Sequence, residues 1–199
     1  MVFDYPVSDV PASPGLTPSQ TVGPFFHYSL PYDEGSAVAG ASRSGAFTLS
    51  GTVYDGAGAP VPDALVEIWQ ADEHGGFVTE PGIFAAPAAD GFRGFGRSAT
   101  DEAGRYAFVT VKPAAVPTTD GVPQAPHLAM SVFARGMLRR VVTRVYLPGE
   151  PANDTDPLLA SVDEARRGTL VATPVEGGYR FDVHIQGDDE TVFLDVFAR

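Results

Sequence analysis

Seven short runs of this sequence alternate apolar and polar residues with a period of two, and glycine or proline residues separate the runs. This period is typical of strands with one buried face, because successive side chains of a strand point to opposite sides. Aromatic and β-branched residues are concentrated in the same runs, which favours strands over helices. The pattern predicts an all-β fold, either an antiparallel β-sandwich or a barrel-like sandwich. The runs are 46–55, 64–72, 104–113, 127–136, 140–149, 178–187 and 191–199.

One short helix is predicted over 153–168. Asp156 is suited to be its N-cap, Pro157 fits the first helical position, and Gly168 follows as a stop signal. Upstream of the first run, residues 1–24 contain repeated prolines and are predicted to form an extended arm, and 29–45 are small and polar like a loop. We therefore expect an N-terminal arm and loop over 1–45 and a sandwich domain over 46–199.

The charge of the chain restricts its partners. The net charge is −12, which disfavours nucleic acids and anionic membranes. Residues 93–144, however, carry eight basic and three acidic side chains, a net +5 inside an acidic protein. Of the thirteen basic residues, Lys112 is the single lysine, and arginine is the residue preferred for carboxylate contacts. The basic segment 93–144 fits an anion site, an acidic partner or a solvated arginine face.

Cysteine is absent from all 199 residues, which excludes a disulfide framework and a thiolate metal site. The first twenty residues lack the basic and apolar regions of a signal peptide, and no apolar run approaches the ~18 residues of a membrane span. These features predict a soluble protein of the cytoplasm.

No active site is evident from the residue pattern alone. The four histidines form neither a His-x-His pair nor an H-E-x-x-H motif, and their spacing does not support a facial triad. The stretch RGFGR at 93–97 has a superficial likeness to an RNA-binding motif, but in an acidic chain a glycine-rich loop is the better interpretation. Glu67 and Trp69 share one strand face, which fits a binding platform or simply a half-buried strand.

The order and spacing of the motifs resemble the intradiol ring-cleavage dioxygenases over nearly the whole chain. The resemblance implies a β-sandwich whose iron-bearing members hold Fe(III) through two tyrosines and two histidines and use O₂ to open a catechol ring between its hydroxyls. Ferric iron suits hard tyrosinate oxygens and draws electron density from the bound ring. The motifs are 17–27 (TPSQTVGPFFH), 51–77, 95–113, 125–150 and 178–197.

The four ligand positions of that family hold a single metal-binding side chain here. The His-x-His pair reads His127-Leu128-Ala129, and the two tyrosine positions fall at Phe84 and Val116. One imidazole cannot retain ferric iron, so the resemblance implies an iron-free chain in which His127 is a relic or a structural histidine. The iron would belong to a partner β subunit, in a higher-order assembly of α–β units.

The resemblance also implies a role for this chain in the partner's substrate pocket. Thr21, Gly23 and Pro24 match the family loop that walls the pocket, and Arg135 matches an arginine that reaches the site across the subunit interface. Gly23 would allow close backbone approach and Pro24 would stiffen the wall. Arg135 fits recognition of a benzoate carboxylate, although it fits an intersubunit salt bridge as well. The family's arginine before His-x-His is replaced by Gln124.

Two alternatives stay open. The chain fits a subunit that acts on another catechol, such as a hydroxyquinol or chlorocatechol. It also fits a noncatalytic binding module of the transthyretin or carbohydrate-binding type, since the pattern at 51–70 alone would allow one. The arm at 17–26 and the strand from His127 argue against such a module, which needs neither.

Overall fold

Two β-sheets packed face to face make up the architecture of this chain, as its computed structural model shows. The structure describes residues 21, 23, 25–78 and 91–196. The sheet elements are β1 (Phe47–Tyr54), β2 (Leu65–Trp69), β3 (Phe95–Ala99), β4 (Arg105–Thr110), β5 (His127–Phe133), β6 (Val141–Tyr146), β7 (Thr173–Val175), β8 (Gly178–Arg180) and β9 (Val183–His184). The described helices are α1 (Phe26–Ser29), α2 (Pro157–Ser161) and α3 (Glu164–Arg167), with 3₁₀ turns over Pro151–Thr155 and Gly168–Leu170.

The first sheet has the order β4-β1-β8-β7, with β9 also paired to β1, and the second has the order β3-β2-β5-β6. Alternate residues of each strand face the other sheet, as the period of two predicts. On β5 these are Leu128, Met130 and Val132, all fully buried, and they meet Leu49 and Phe108 of the first sheet in one apolar core. The predicted β-sandwich is therefore confirmed.

Two runs behave differently from their predicted antiparallel strands, and one predicted loop forms a strand. Run 178–187 divides into β8 and β9, and both pair with β1 in parallel, so the first sheet is mixed. Run 191–199 forms no strand over its described part, 191–196, where Leu194 donates one backbone hydrogen bond to the Val142 carbonyl at 2.7 Å. The stretch 93–97, predicted to be a loop, contributes instead to β3. Its Gly96 lies under Val38 and Phe108, where a Cβ would collide, so the glycine reflects close packing.

The prediction of one continuous helix over 153–168 is also wrong, because the structure has two helices there. Asp156 is the N-cap as expected, since its carboxylate accepts the backbone N–H groups of Leu158 and Leu159. However, α2 ends at Ser161 because Val162 is extended, and Asp163 then caps a second helix, α3, whose last turn carries Arg166 and Arg167. In the arm and loop region, α1 was not predicted.

The proposed boundary between 45 and 46 stays a prediction. Val38 and Ala39 lie in the main core, and the Val38 N–H donates to the Val109 carbonyl at 2.9 Å. The end of the predicted loop is therefore packed against the sandwich. Among the described residues, none of the helices has the length and apolar character that a membrane span requires.

Candidate functional site

The candidate site lies on the outer face of the second sheet, the face turned away from the core. On β5, His127 and Ala129 alternate with the buried Leu128 and therefore point outwards. The strand register places Ala129 between Trp69 of β2 and Arg144 of β6. The methyl side chain of Ala129 is much smaller than those of Trp69 and Arg144, so it leaves space between them.

A cavity of about 450 Å³ opens at this point. It brings together Val116, His127 and Ala129, three of the four positions at which the resemblance places iron ligands. The fourth, Phe84, lies outside the described residues. The sequence pattern alone gave no reason to group these positions, because Val116 comes from a loop and precedes β5 by eleven residues. The described residues of the lining are Trp69, Gln70, Ala71, Phe77, Ala114, Val116, His127 and Ala129.

His127 is held in one orientation by the backbone. Its Nδ1 lies 2.8 Å from the carbonyl oxygen of Ala125, and since a carbonyl can only accept, Nδ1–H is the donor. Burial, followed by the positive charge of Arg144, lowers the pKa of His127 below its ordinary value, so the ring is neutral at pH 7. Nε2 then carries a lone pair, for which the structure records no hydrogen-bond partner within its described part.

The residues present do not fit a ferric ion. Val116 and Ala129 carry no donor atom, and neither does the phenyl ring of Phe84. Hard ferric iron needs several anionic oxygen or imidazole ligands, whereas the described lining of this pocket offers one neutral imidazole nitrogen. Over the described ranges, no group of three or more histidine, cysteine, aspartate or glutamate side chains is arranged to hold a metal. Gln124 is nearly buried, and its backbone N–H donates to the Val116 carbonyl at 3.0 Å, so it fixes the loop beside the cavity.

The aromatic walls of the cavity were not identified as such from the sequence. Trp69 and Phe77 meet edge to face with ring centroids 6.2 Å apart. Trp69 is 53% exposed and Phe77 47%, which is unusual for such large apolar rings. Strand alternation did place Trp69 on a possible binding face with Glu67. Glu67, however, accepts a hydrogen bond at 2.8 Å from Nε of Arg97 on β3, so this carboxylate is already neutralised.

Gln70 forms the polar floor of the cavity and is completely engaged. Its Nε2 donates to the carbonyls of Ala71 at 3.1 Å and Val111 at 2.9 Å. Its Oε1 accepts from the hydroxyl of Thr110. This buried network joins the second sheet to β4 of the first sheet and fixes the backbone on which Trp69 stands.

Arg135, one of the predicted pocket-wall residues, lies at the other end of β5 from His127. Arg135 follows this strand, is 65% exposed, and forms an ion pair with Asp63 at 3.2 Å. Nearby, the Phe26 ring of α1 lies 6.5 Å from Phe133, which brings the end of the arm to the same end of the strand. Arg135 is therefore separate from the cavity at His127.

The structure describes only part of the predicted wall loop. Thr21 and Gly23 are exposed, whereas Pro24 lies outside the described residues. A Cβ at Gly23 would meet no atom within 4 Å, so nothing in the described part of this chain requires a glycine there.

Comparison with known proteins identifies relatives of the whole chain. The Dioxygenase_C family model, described as a dioxygenase, matches residues 22–187. The chain is 42% identical to the protocatechuate 3,4-dioxygenase alpha chain of Burkholderia cepacia, over 90% of this chain and 97% of that protein. It is 38% identical to the beta chain from the same organism, over 72% of this chain and 65% of that one.

A solved structure supports the fold. Hydroxyquinol 1,2-dioxygenase from Pseudomonas putida DLL-E4 superimposes with a TM-score of 0.59 at 19% identity. The match covers 77% of this chain and 60% of that one. At this identity the likeness concerns the arrangement of the two sheets.

Proposed function

Because this chain belongs to the intradiol dioxygenase family, we propose that it is the iron-free α subunit of a protocatechuate 3,4-dioxygenase. In this role it completes the substrate pocket of a β subunit that holds Fe(III). The observation that carries the proposal is the cavity at His127, where the family's ligand positions offer one nitrogen instead of four donors. The similarity to an alpha chain along nearly its whole length supports the same assignment.

The chemistry divides between the two subunits. Ferric iron bound in the β subunit would supply the Lewis acid that draws electron density from the catechol and prepares the ring for O₂. Both oxygen atoms enter the product, 3-carboxy-cis,cis-muconate, so no external reductant is needed. This chain would contribute the loop of Thr21, Gly23 and Pro24 as a wall that positions the ring, and Arg135 as a partner for the substrate carboxylate.

Arg135 is suited to this contact by its exposure. The guanidinium has five N–H donors in a planar fork, and the structure gives it one ion pair, to Asp63. Its remaining donors can reach a carboxylate on a neighbouring subunit. The net +5 of residues 93–144 adds a positive potential that attracts an anionic substrate.

The surface beside Arg135 is consistent with a protein interface. Phe25 is 76% exposed and Tyr28 77%, both around α1, and Leu138 in the turn after β5 is 61% exposed. Exposed apolar side chains that form a patch mark interaction sites in soluble proteins. We assign the arm over 1–45 to this interface and pocket, and the sandwich over 46–199 to the structural body, in a cytoplasmic assembly of α–β units.

The proposal is tested by purifying the full chain alone and together with a protocatechuate 3,4-dioxygenase β chain. We expect the lone chain to contain no stoichiometric iron and to leave protocatechuate unchanged. The co-purified pair should show the red-brown tyrosinate-to-iron absorption and convert protocatechuate. Stoichiometric iron in the lone chain would refute the assignment. A chain that never gives activity with any β partner would instead indicate a noncatalytic module.

Replacement of Arg135 by alanine in the assembled pair should raise KM for protocatechuate about tenfold, the effect of losing one charge-assisted contact. KM for catechol, which has no carboxylate, should change little. Steady-state kinetics with both substrates measure the difference. Arg105→Ala is the matched control, because Arg105 is 70% exposed and also ion-paired, to Asp101 at 2.8 Å. An equal rise in KM for both substrates in Arg135→Ala would assign this arginine to the subunit interface. If the unmodified pair were more active on hydroxyquinol or a chlorocatechol than on protocatechuate, one of those catechols would be the substrate instead.

A further inference from the structure

We propose that a polar cavity on the outer face of the first sheet binds a neutral ring with neighbouring hydroxyl groups, such as a monosaccharide. The cavity has a volume of about 400 Å³, and its described lining comes from the segments 168–173, 180–184 and 189–191. We call it the His184 cavity. The inference goes beyond the proposed function and does not depend on it, since it concerns neither the partner's iron nor Arg135.

Strand alternation directs the polar side chains of β8, β9 and their connection to this cavity. Arg180, Asp182 and His184 alternate with Phe181 and Val183, which are buried in the core. The three polar side chains therefore point away from the second sheet. The cavity described above opens on the outer face of the second sheet, so the two cavities lie on opposite faces of the sandwich.

Hydrogen bonds within the chain hold the walls of the His184 cavity in place. The Thr191 hydroxyl oxygen accepts the backbone N–H of His184 at 3.0 Å, and the Thr191 N–H donates to the His184 carbonyl at 3.0 Å. The Thr169 hydroxyl accepts the N–H of Val192 at 3.1 Å and donates to the carbonyl of Arg166 at 2.8 Å. A site that is already formed loses little conformational entropy when a ligand binds.

The charged side chains of the cavity balance one another in part. Asp182 is already used, since Nε of Arg180 donates to its two oxygens at 2.9 and 3.1 Å and the N–H of Thr52 donates to it at 2.8 Å. Tyr54 also interacts with the Arg180 guanidinium, but most of the five N–H groups stay available. Asp189 is exposed, and within the described ranges its carboxylate has no recorded partner.

His184 and Thr173 add groups that both donate and accept hydrogen bonds. The Tyr54 ring stacks on the His184 ring at a centroid distance of 4.9 Å and an interplanar angle of 22°, which fixes the imidazole. A neutral imidazole has one donor and one acceptor nitrogen, and a threonine hydroxyl can serve in either way. Among the described residues, neither side chain has a recorded hydrogen-bond partner, so both can serve a ligand.

Hydroxyl groups match this lining better than ions do. An ammonium would be repelled by Arg180 and offers its N–H groups no acceptor. An anion would meet Asp189 in a segment, 145–199, whose net charge is −7. A hydroxyl can accept from Arg180 and donate to Asp189, and neighbouring hydroxyls on one ring can make both bonds together. The volume lies within the range of small-molecule sites.

Titration calorimetry of the purified full chain with myo-inositol, D-glucose and D-mannose tests the proposal. We expect saturable binding of at least one of these neutral rings at one site per chain, with a dissociation constant on the order of 1 mM. Cyclohexanol has the ring and a single hydroxyl, so it should bind more than about tenfold more weakly because it loses several hydrogen bonds. An anionic probe, myo-inositol 1-phosphate, and a cationic probe, trans-1,2-diaminocyclohexane, should also bind more weakly than the neutral ring.

Asp189→Asn keeps the shape of the side chain and removes its charge, so it should weaken binding of the neutral ring about tenfold. Asp188→Asn is the matched control. Asp188 is the neighbouring exposed aspartate and is not part of the described lining, so the same change of charge should leave binding unchanged. Thr173→Val removes one hydroxyl at constant shape and should weaken binding about threefold. Near-UV circular dichroism checks the fold of each variant.

Saturation-transfer NMR of the neutral rings gives a second measurement that does not depend on the heat of binding. Absence of saturable binding for all three rings, equal affinities of Asp189→Asn and Asp188→Asn, or tighter binding of the phosphate or the diamine would overturn the proposal. These measurements involve neither iron nor turnover. Their failure would therefore leave the assignment of this chain to an α–β pair unaffected.

Discussion

Asp156→Ala is expected to lower the free energy of unfolding by about 4 kcal/mol, because it leaves several buried donors without an acceptor. The Asp156 carboxylate is fully buried and accepts four hydrogen bonds. The donors are the N–H groups of Leu158 at 2.9 Å, Leu159 at 3.0 Å and Ala125 at 2.8 Å, and the Tyr146 hydroxyl at 2.9 Å. Since small domains are stable by about 5–15 kcal/mol, this loss is a large part of the total. Urea unfolding of the full chain measures it.

The effect should reach the cavity as well. Asp156 fixes the N–H of Ala125, whose carbonyl oxygen in turn orients His127. The Tyr146 ring, held by the same carboxylate, lies 5.7 Å from the His127 ring. Asp163→Ala is the matched control, because Asp163 is also a helix N-cap but is exposed and accepts one long bond from Ala165, so about 1 kcal/mol or less is expected. Equal effects of the two substitutions would show that the buried network adds nothing to ordinary capping.

The acid dependence of stability gives a second measure of the same group. Burial alone would raise the pKa of Asp156, but the hydrogen bonds from Leu159, Ala125, Tyr146 and Leu158 outweigh it and lower the pKa below its ordinary value. A carboxylate with a lowered folded pKa stabilises the fold fully above its unfolded value, about pH 4, and loses this contribution as pH falls through the folded pKa. The difference between the unmodified chain and Asp156→Asn should therefore be constant above about pH 5 and shrink below pH 4.

The sequence predicted the strands that carry the core well, and the reason is physical. β1, β2, β4, β5 and β6 each have one face in the core and one face outside, so their burial imposes the period of two. β3 escaped prediction because Gly96 replaces an apolar core residue where the sheets approach closely. The helix over 153–168 was predicted as continuous because Asp163 was counted as a helix residue, although its side chain caps a new helix.

The site was predictable only in part. Periodicity places His127 and Ala129 on one face, but it cannot bring Val116 or Phe77 to the same cavity, because loops carry no period. The resemblance supplied the grouping of Val116 with β5, and in the structure Val116, His127 and Ala129 line one cavity. The walls formed by Trp69 and Phe77 depend on tertiary packing alone, and the best signal for them was a tryptophan on an outward strand position.

A common physical picture links the cavity and the proposed subunit role. Val116 and Ala129 offer no donor atom for a metal, and Ala129 points away from the core, so the sheet beneath is packed independently of it. The backbone bonds of His127 and Gln70 keep the cavity open and ordered. In the proposed α–β pair, recognition would instead use the opposite end of β5, where Arg135 and α1 lie.

Gly51→Ala is expected to destabilise the fold by about 3 kcal/mol, because a Cβ at this position has no space. Gly51 lies in β1, where the added carbon would overlap the carbonyl oxygen of Phe181 and lie 2.8 Å from the Tyr106 hydroxyl oxygen. That hydroxyl donates to the same carbonyl, so the substitution would also disturb a buried hydrogen bond. Both neighbours are held in place, Phe181 by its backbone bond to Ser50 at 2.8 Å and Tyr106 by the core.

Gly168→Ala provides the matched control for Gly51→Ala in the same thermal or urea unfolding series. Gly168 has helical backbone angles, φ −57° and ψ −27°, and a Cβ there would meet no atom within 4 Å. Alanine gives the unfolded chain less conformational entropy than glycine does. The free energy of unfolding of this variant should therefore be unchanged or higher by up to about 1 kcal/mol. The two substitutions add the same methyl group, and their opposite signs would therefore isolate the close approach of Phe181 to β1. If both variants unfolded at the same denaturant concentration, the parallel pairing of 178–184 with β1 would have to be looser than the structure shows.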